Sequence, residues 1–521
     1  MAYPRAYNAA TDFITRNLEA GRAEKPAFID PMRTLTYGDL ASGANRMGNL
    51  LATYGIPREA RVALMMHDTV DFPVAFWGAI LAGVVPVPLN TLLTAEQYAY
   101  ILADARAKAV VISAALLPVL QPILNRLPDL KHVFVAGGEA PPYALSFADE
   151  LAAQPATFTP VDTCCDEVAF WLYSSGSTGM PKGARHVHTS LMETARLVGQ
   201  NAIGMREDDV VYSAAKLFFA YGLGNAMSFP MSVGATTILR PERPTPDLVY
   251  ETLKAHRATL FFGVPTLYAA MLVSPLAAPA NISDRLRLCV SAGEALPEDV
   301  GKGFTAKFGV EILDGVGSTE MLHQYVINAP GAVRYGTSGK AVKGYEIRLV
   351  DERGREVADG EVGEMLVRGA TSADGYWNQR EKSRATFEGG WTRSGDKYVR
   401  DADGYKLLLL LDPQTHLPTM LNETIVLPQR VMVIPTGFGF DRRYNRAIFV
   451  RAREERQARS KPPQAVSVQM RLADHRNIGG ITLPHRITTY YNGQEVEQIE
   501  LHDFTLNRPI DPKKFEENRP H

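Results

Sequence analysis

The sequence predicts an α/β fold to about residue 335, a small β-rich subdomain over 336–405, and a mainly antiparallel β domain over 406–521. Three observations predict it. Up to residue 335, short apolar runs alternate with amphipathic helical stretches, the rhythm of parallel sheets covered by helices. From residue 336, strand-like segments are separated by Gly/Asp turns. Near the end, two alternating runs rich in aromatic and β-branched residues flank Asn492-Gly493, the two-residue signal of a type I′ hairpin.

In chain order, residues 10–60 read as largely helical, interrupted by the strand-like Pro26-Ala-Phe-Ile-Asp30. Thr36 and Asp39 are placed to cap the next helix, whose apolar face carries Leu40, Met47, Leu50 and Leu51. Strands are expected at 62–66, 84–89 and 109–113, with helices near 72–82 and 95–104. The alternation resumes with strands at 168–172, 210–213, 236–239, 259–262 and 286–291. The subdomain takes its strands from 345–350, 363–368 and 390–394.

The 521 residues, 46% hydrophobic and 21% charged, suffice for several domains with a large core. A formal net charge of -2 argues against nucleic acid or an anionic membrane as a partner. Cys164, Cys165 and Cys289 cannot frame a disulfide scaffold, and the adjacent pair is poorly placed for a bridge. A reducing cytoplasm is therefore expected. The N-terminus has no basic region followed by an apolar one, so no secretory signal is expected. No apolar run reaches the roughly 20 residues of a membrane span. The five leucines at 407–411 are far too few.

The candidate chemistry lies in four stretches. Tyr173-Ser-Ser-Gly-Ser-Thr-Gly-Met-Pro-Lys-Gly183 follows the apolar run 168–172. Small side chains let backbone N–H groups approach a phosphate, hydroxyls add donors, and Lys182 neutralises charge. It is not a Walker loop, because no Gly-x-x-x-x-Gly-Lys-Ser/Thr fits it. Gly315-Val-Gly-Ser-Thr-Glu320 is a second hydroxyl-rich turn ending in a carboxylate, the ligand type Mg²⁺ takes beside a phosphate. Ser394-Gly-Asp396 offers an acid suited to ribose hydroxyls. Val290-Ser-Ala-Gly-Glu-Ala-Leu-Pro297 is a turn of small residues that permits close backbone approach to a ligand. Singly, each has an ordinary reading as a surface loop, a helix cap or a turn. Together and in this order, on a parallel α/β background, they define a nucleotide site. His186 and His188 would share one face of a strand; without further ligands a structural role for His186 is the simpler reading.

On these motifs, residues 1–405 resemble the large N-terminal domain of the AMP-forming acyl-CoA synthetase superfamily, with Gly375-Tyr-Trp-Asn378 as a further signature. The resemblance makes 1–335 an adenylate-forming body and 336–405 part of the same adenylating domain. It assigns Ser174, Ser175, Gly176, Ser177, Thr178, Gly179 and Lys182 to the ATP phosphates. Gly315, Val316, Gly317, Ser318 and Thr319 go to the adenine and α-phosphate, Asp396 to the ribose, and Glu320 to Mg²⁺, with Lys182, Thr319 and Glu320 as catalytic groups. Segments 213–225, 261–266 and 314–323 resemble benzoate-CoA ligases. The implied acyl pocket is Ala220, Tyr221, Ser291, Ala292, Gly293, Gly315 and His323, suited to a flat aromatic ring. Ala220 stands where amino-acid-activating relatives carry an Asp, which argues against an amino-acid substrate. Gln324 stands where an aliphatic residue is expected; it either favours a hydroxy- or amino-substituted ring or points at solvent. The implied co-substrates are ATP and coenzyme A, with Mg²⁺.

The family pattern stops near residue 406. The expected Gly-Arg-x-x-Asp-x-x-Lys hinge and the later Pro-x-Thr-x-x-Gly-Lys segment, whose lysine reaches the reacting groups, do not occur in 406–521. Residues 412–418, 475–484 and 507–512 instead resemble parts of the open β-barrel proteins related to bacterial lipoprotein-localisation carriers. That resemblance covers 407–516 and implies an apolar ligand; a β module without one is the alternative. Residues 442–460 have a basic, helical pattern. The expected whole is a chain of two unrelated pieces: a natural fusion, a recombination product or a mis-assembled reading frame.

Overall fold

The computed structural model describes residues 3–176, 179–401, 404–407, 420–426, 465–478, 481–491 and 494–500. The chain separates into two compact units, Met1–Ser174 with Pro181–Leu408, and Ser175–Met180 with Leu409–His521.

Two largely parallel sheets form the body of the first unit. The larger has nine strands in the order Lys340–Ala341, Gln324–Ile327, Ile312–Gly317, Leu288–Ser291, Leu260–Gly263, Val210–Ser213, Thr236–Ile238, Pro26–Ile29, Thr34–Thr36. Its six central strands are parallel and both ends close with antiparallel pairs. The second sheet has five parallel strands, Val85–Pro88, Arg61–Met65, Ala109–Ser113, His132–Ala136 and Leu145–Ser146. Runs such as Leu260–Gly263 and Ala109–Ser113 are buried at every residue, as parallel strands covered on both faces require.

The helix expected after Thr36 spans Tyr37–Thr53, with the Thr36–Asp39 capping box formed and Leu40, Met47, Leu50 and Leu51 buried. It packs on Asp71–Leu81 closely enough that a Cβ at Gly78 would sit 2.3 Å from Met47 Cβ. The segment after residue 335 is the expected antiparallel sheet, built from Glu346–Val350, Val362–Arg368, Trp391–Asp401 and Phe387–Glu388, with Gly404–Leu407 beside Trp391–Asp401.

One expectation is corrected. The stretch 173–183 was expected as a loop after a short strand. Instead one strand runs Val168–Gly176 and the next Gly179–Val187, so regular backbone extends into the glycine-rich segment. Gly375–Tyr376 adds a third strand to this pair.

The second unit holds a four-stranded antiparallel sheet in the order Met420–Val426, Ala465–Ile478, Ile481–Tyr491, Gln494–Glu500. Tyr491 pairs with Gln494, and the Asn492-Gly493 between them lies outside the described residues. The helical pattern at 442–460 lies outside the described residues.

Candidate active site

Ligands in open α/β sheets collect at the carboxyl ends of parallel strands. Ser291 ends one such strand, between Gly263 at the end of its neighbour and Asp314 on the next. Asp314 leads into Gly315, and the strand Ile312–Gly317 turns back antiparallel through residues 318–323 into Gln324–Ile327. This one turn carries Thr319, Glu320 and His323.

The turn is pinned carbonyl by carbonyl. The Met321 N–H donates to Ser318 Oγ at 3.2 Å. Thr319 O accepts from Leu322 N at 3.1 Å and from His186 Nε2 at 2.8 Å. Glu320 O accepts from Ala373 N at 2.8 Å, and Met321 O from Thr371 Oγ1 at 2.8 Å. Leu322 holds a left-handed φ of 69°, a strained state that these bonds maintain. His186 is wholly buried and stacks on Phe170 at 5.1 Å. Burial pushes it down to about 4, so it is the neutral Nε2–H tautomer that donates to Thr319. His188 begins the helix His188–Thr194, and its Nδ1 accepts from Ala9 N at 3.1 Å. The two histidines therefore occupy different elements with separate structural bonds. Among the described residues no group of three or more His, Cys, Asp or Glu could hold a metal.

On the phosphate side, Glu320 Oε1 accepts from Tyr376 OH at 2.7 Å and from Ser174 Oγ at 3.3 Å. Lys182 Nζ lies 3.4 Å from Tyr376 OH and 4.5 Å from the centre of its ring. Desolvation lowers the Lys182 ammonium below its ordinary range, Glu320 opposes that shift, and Lys382 adds to it. Withdrawal from water first, and Glu320 next, raises the Tyr376 phenol. Asp396 lies not in a turn but within the strand Trp391–Asp401, at the register shift opposite Glu364–Leu366 and after Gly395 at a φ of 82°, and its N–H donates to Ser394 Oγ at 3.1 Å. Its carboxyl is raised by desolvation, then by the negative charge of Glu320 and Glu364. Ser174 and Tyr376 thus meet at Glu320 and Lys182 meets Tyr376, while Asp396 feels the charge of Glu320. Tyr376, which bridges Lys182 and Glu320, had no role assigned from sequence. Its place in the signature 375–378 was the available signal. The strand Gly375–Tyr376 is held there by Trp377 N donating to Gly183 O and Asp374 N to Arg185 O, both at 2.8 Å. Of the other phosphate-loop residues, Ser175, Gly176 and Gly179 lie at the ends of the two strands, and Ser177 and Thr178 lie outside the described residues.

A cation at Glu320 would meet a carboxylate and hydroxyl oxygens from the protein and take its other ligands from phosphate and water. That donor set fits Mg²⁺.

On the acyl side, the Tyr221 hydroxyl donates to Val290 O at 3.1 Å, with Gly263 O at 3.3 Å. The His323 ring lies 5.3 Å from that of Tyr221 and 4.5 Å from that of Phe229. His323 Nε2 donates to Asn225 Oδ1 at 2.9 Å, with Tyr221 O at 3.3 Å. Burial pushes this imidazole down to about 3, so it acts as a neutral, oriented ring. Asn225 lies on the π-helical turn Gly224–Ser228, and a Cβ at Gly224 would sit 2.6 Å from His323 Cδ2. Ala220, Ser291 and Ala292 are buried, and Gly293 takes a φ of 93°. The solvent-facing reading of Gln324 is corrected: it is 1% exposed, and its Nε2 donates to Ser291 O at 3.0 Å. Its strand position opposite Gly317 turns it inward.

A parallel α/β body in which this carboxylate–tyrosine–lysine group shares the turn 318–323 with the buried His323 defines a class. A family model described as AMP-binding enzyme matches residues 15–377, and the chain belongs to that family. Among its relatives, the 4-hydroxybenzoate–CoA/benzoate–CoA ligase of Rhodopseudomonas palustris is 56% identical over 400 residues, 77% of this chain and 74% of the relative. The benzoate–CoA ligase of Thauera aromatica is 52% identical over 408 residues, 77% of this chain and 76% of the relative. The crystal structure of a benzoate CoA ligase from Burkholderia xenovorans LB400 superposes with a TM-score of 0.74 at 43% identity, covering 88% of this chain and 95% of that one.

Proposed function

We infer that this chain is an AMP-forming acid–thiol ligase that activates a benzoate-like aromatic acid with ATP and passes the acyl group to coenzyme A. The observation that carries this reading is the Ser174–Glu320–Tyr376–Lys182 group, whose Glu320 shares a turn with His323, in a chain 56% identical to a relative named 4-hydroxybenzoate–CoA/benzoate–CoA ligase. In the first step a carboxylate oxygen attacks the α-phosphorus of ATP. The bond to pyrophosphate breaks, leaving the acyl-adenylate. In the second, the thiolate of coenzyme A forms the thioester and AMP departs.

The proposed roles are those the motifs imply. Lys182, with Ser174, Ser175, Gly176, Ser177, Thr178 and Gly179, holds phosphate oxygens. Thr319 contacts the α-phosphate from a turn whose backbone is fixed. Glu320 holds Mg²⁺, which when bound neutralises phosphate charge. Gly315, Val316, Gly317 and Ser318 line the adenine, and Asp396 binds the ribose. Ala220, Tyr221, Ser291, Ala292, Gly293, Gly315 and His323 enclose the ring. Catalysis in the first step is positioning and charge neutralisation. Acyl-AMP detected by mass spectrometry after mixing the chain with MgATP and benzoate tests this reading. Its absence with every benzoate tried contradicts it.

The proposal includes a division into 1–335, 336–405 and 406–521, a cytoplasmic location, and reduced turnover. Residues 406–521 carry no Pro-x-Thr-x-x-Gly-Lys segment. Loss of one such charge-neutralising group lowers rates by about 10²–10³. Turnover at the rate of an ordinary CoA ligase would contradict this part. For residues 407–516, long antiparallel strands such as Ala465–Ile478 and Ile481–Tyr491 support the second reading, a carrier-like β module for an apolar ligand. Mass spectrometry of organic extracts of the purified chain tests it, and extracts free of lipid or acyl chains count against it. Among the described residues no helix is long and apolar enough to cross a membrane.

A further inference from the structure

Gln324 sits where the two strands of the motif hairpin meet, paired with Gly317. Its side chain is buried, and Nε2 donates to Ser291 O at 3.0 Å. A carbonyl can only accept, so this bond fixes which end of the amide is which. The remaining atom, Oε1, is buried and has no hydrogen-bond partner. Leaving such an acceptor unpaired costs roughly 1–3 kcal/mol, and buried polar groups without partners call for a reason.

The surroundings supply one. Nε2 packs where a Cβ at Gly315 would come within 2.5 Å, so the amide lies against Ser291 and Gly315, both assigned to the acyl pocket. Among the polar groups around it, the Tyr221 hydroxyl is committed to backbone carbonyls and His323 Nε2 to Asn225 Oδ1, while Asn225 Nδ2, Ser291 Oγ, Asp314 Oδ1 and His323 Nδ1 are, like Gln324 Oε1, buried without a partner. We propose that Gln324 Oε1 accepts a hydrogen bond from a donor on the substrate ring, so the pocket selects aromatic acids bearing a ring O–H or N–H over the bare ring. Gln324 is then a specificity-determining residue. Its inward carbonyl is unpaired until a hydroxy- or amino-substituted ring fills the pocket. This rests on the aryl-acid reading above and adds to it the class of ring and the atom that reads it.

The test is equilibrium binding of the full chain to non-hydrolysable aryl-adenylate analogues, measured by calorimetry without turnover. The panel is the benzoyl analogue and the 2-, 3- and 4-hydroxy- and aminobenzoyl analogues. At least one donor-bearing ring is expected to bind about tenfold or more tighter than benzoyl, since one satisfied buried hydrogen bond is worth about that much. Gln324→Met, which keeps volume and removes both the acceptor and the Nε2 donor to Ser291 O, is expected to bring the ratio of substituted to bare ring, measured within the variant, below about threefold. Equal affinity of the wild-type chain for bare and substituted rings overturns the proposal, and that comparison needs no variant. So does a preference that survives in Gln324→Met. If no analogue binds at all, the aryl-acid reading itself fails, a result distinct from binding without ring preference.

Discussion

The two halves of the proposed site solve opposite physical problems. On the acyl side Asn225, Ser291, His323 and Gln324 are each 2% exposed or less, and burial keeps His323 uncharged. On the phosphate side Ser174, Lys182 and Glu320 are only partly buried and carry the charges. A buried charge is costly unless paired, whereas a neutral buried network costs little if its bonds are made. In the proposed site a ring would be received by a wall of buried residues, of which Asn225, Ser291, His323 and Gln324 each keep one buried atom without a partner, and phosphates by groups still in contact with water. The halves share the turn 318–323, whose backbone is fixed by His186, Ala373 and Thr371. That turn sets their spacing.

If the division is real, each half can be damaged separately. The largest effect is expected from Glu320→Gln. It removes the carboxylate proposed for Mg²⁺ and should lower acid-dependent pyrophosphate release about 10²–10³-fold. Affinity for an aryl-adenylate analogue measured without metal should be nearly unchanged, and a comparable loss there would break the division. Gly224→Ala should do the reverse. Its Cβ would meet His323 Cδ2 at 2.6 Å, and overpacking of this kind costs about 1–3 kcal/mol. Analogue affinity should fall by about tenfold or more while ATP binding, followed by fluorescent-nucleotide displacement, holds. Tyr376→Phe deletes the hydroxyl between Lys182 and Glu320 and should cost about tenfold in pyrophosphate release, with the ring still packed against Phe387.

The smallest expected effect is a pH dependence. Burial pushes the Asp314 carboxyl up to about 7, from an ordinary value near 3.8. The unfolded chain ionises this group above about 4, while the folded chain keeps its proton to about 7. The stability the group contributes therefore falls as pH rises through that window, by at most ~1.4 kcal/mol per pH unit, and is level above it. Asp314→Asn cannot ionise. Its melting temperature relative to wild type should rise by a few degrees between pH 4.5 and 8, as read by differential scanning fluorimetry. A difference independent of pH would show that Asp314 is ionised throughout.

Much of this arrangement was legible in the sequence because local chemistry decides it. The Thr36–Asp39 box, the fully apolar strands and the pairing around Asn492-Gly493 depend on neighbours a few residues away. Ser174, Lys182 and Glu320 were legible within their motifs, and folding joins them through hydrogen bonds to one another and to Tyr376. What sequence hid is decided at long range. The stretch 173–183 has loop-forming residues, yet its flanks pair as strands and Gly375–Tyr376 joins them from nearly two hundred residues away. Tyr376 therefore reaches Lys182 and Glu320 by a pairing that no local pattern encodes. Gln324 could have faced either way by its type. Only its register against Gly317 and its bond to Ser291 turn it inward.

The central claim is that residues before 408 form a working aryl-adenylate site. Its most direct measurement is pyrophosphate release from MgATP across a panel of benzoates, each with and without coenzyme A. Release that requires an aromatic acid, at a rate well below that of an ordinary CoA ligase and with little acyl-CoA formed, is the predicted result. Pyrophosphate release that ignores the aromatic acid, or none with any member of the panel, would contradict it.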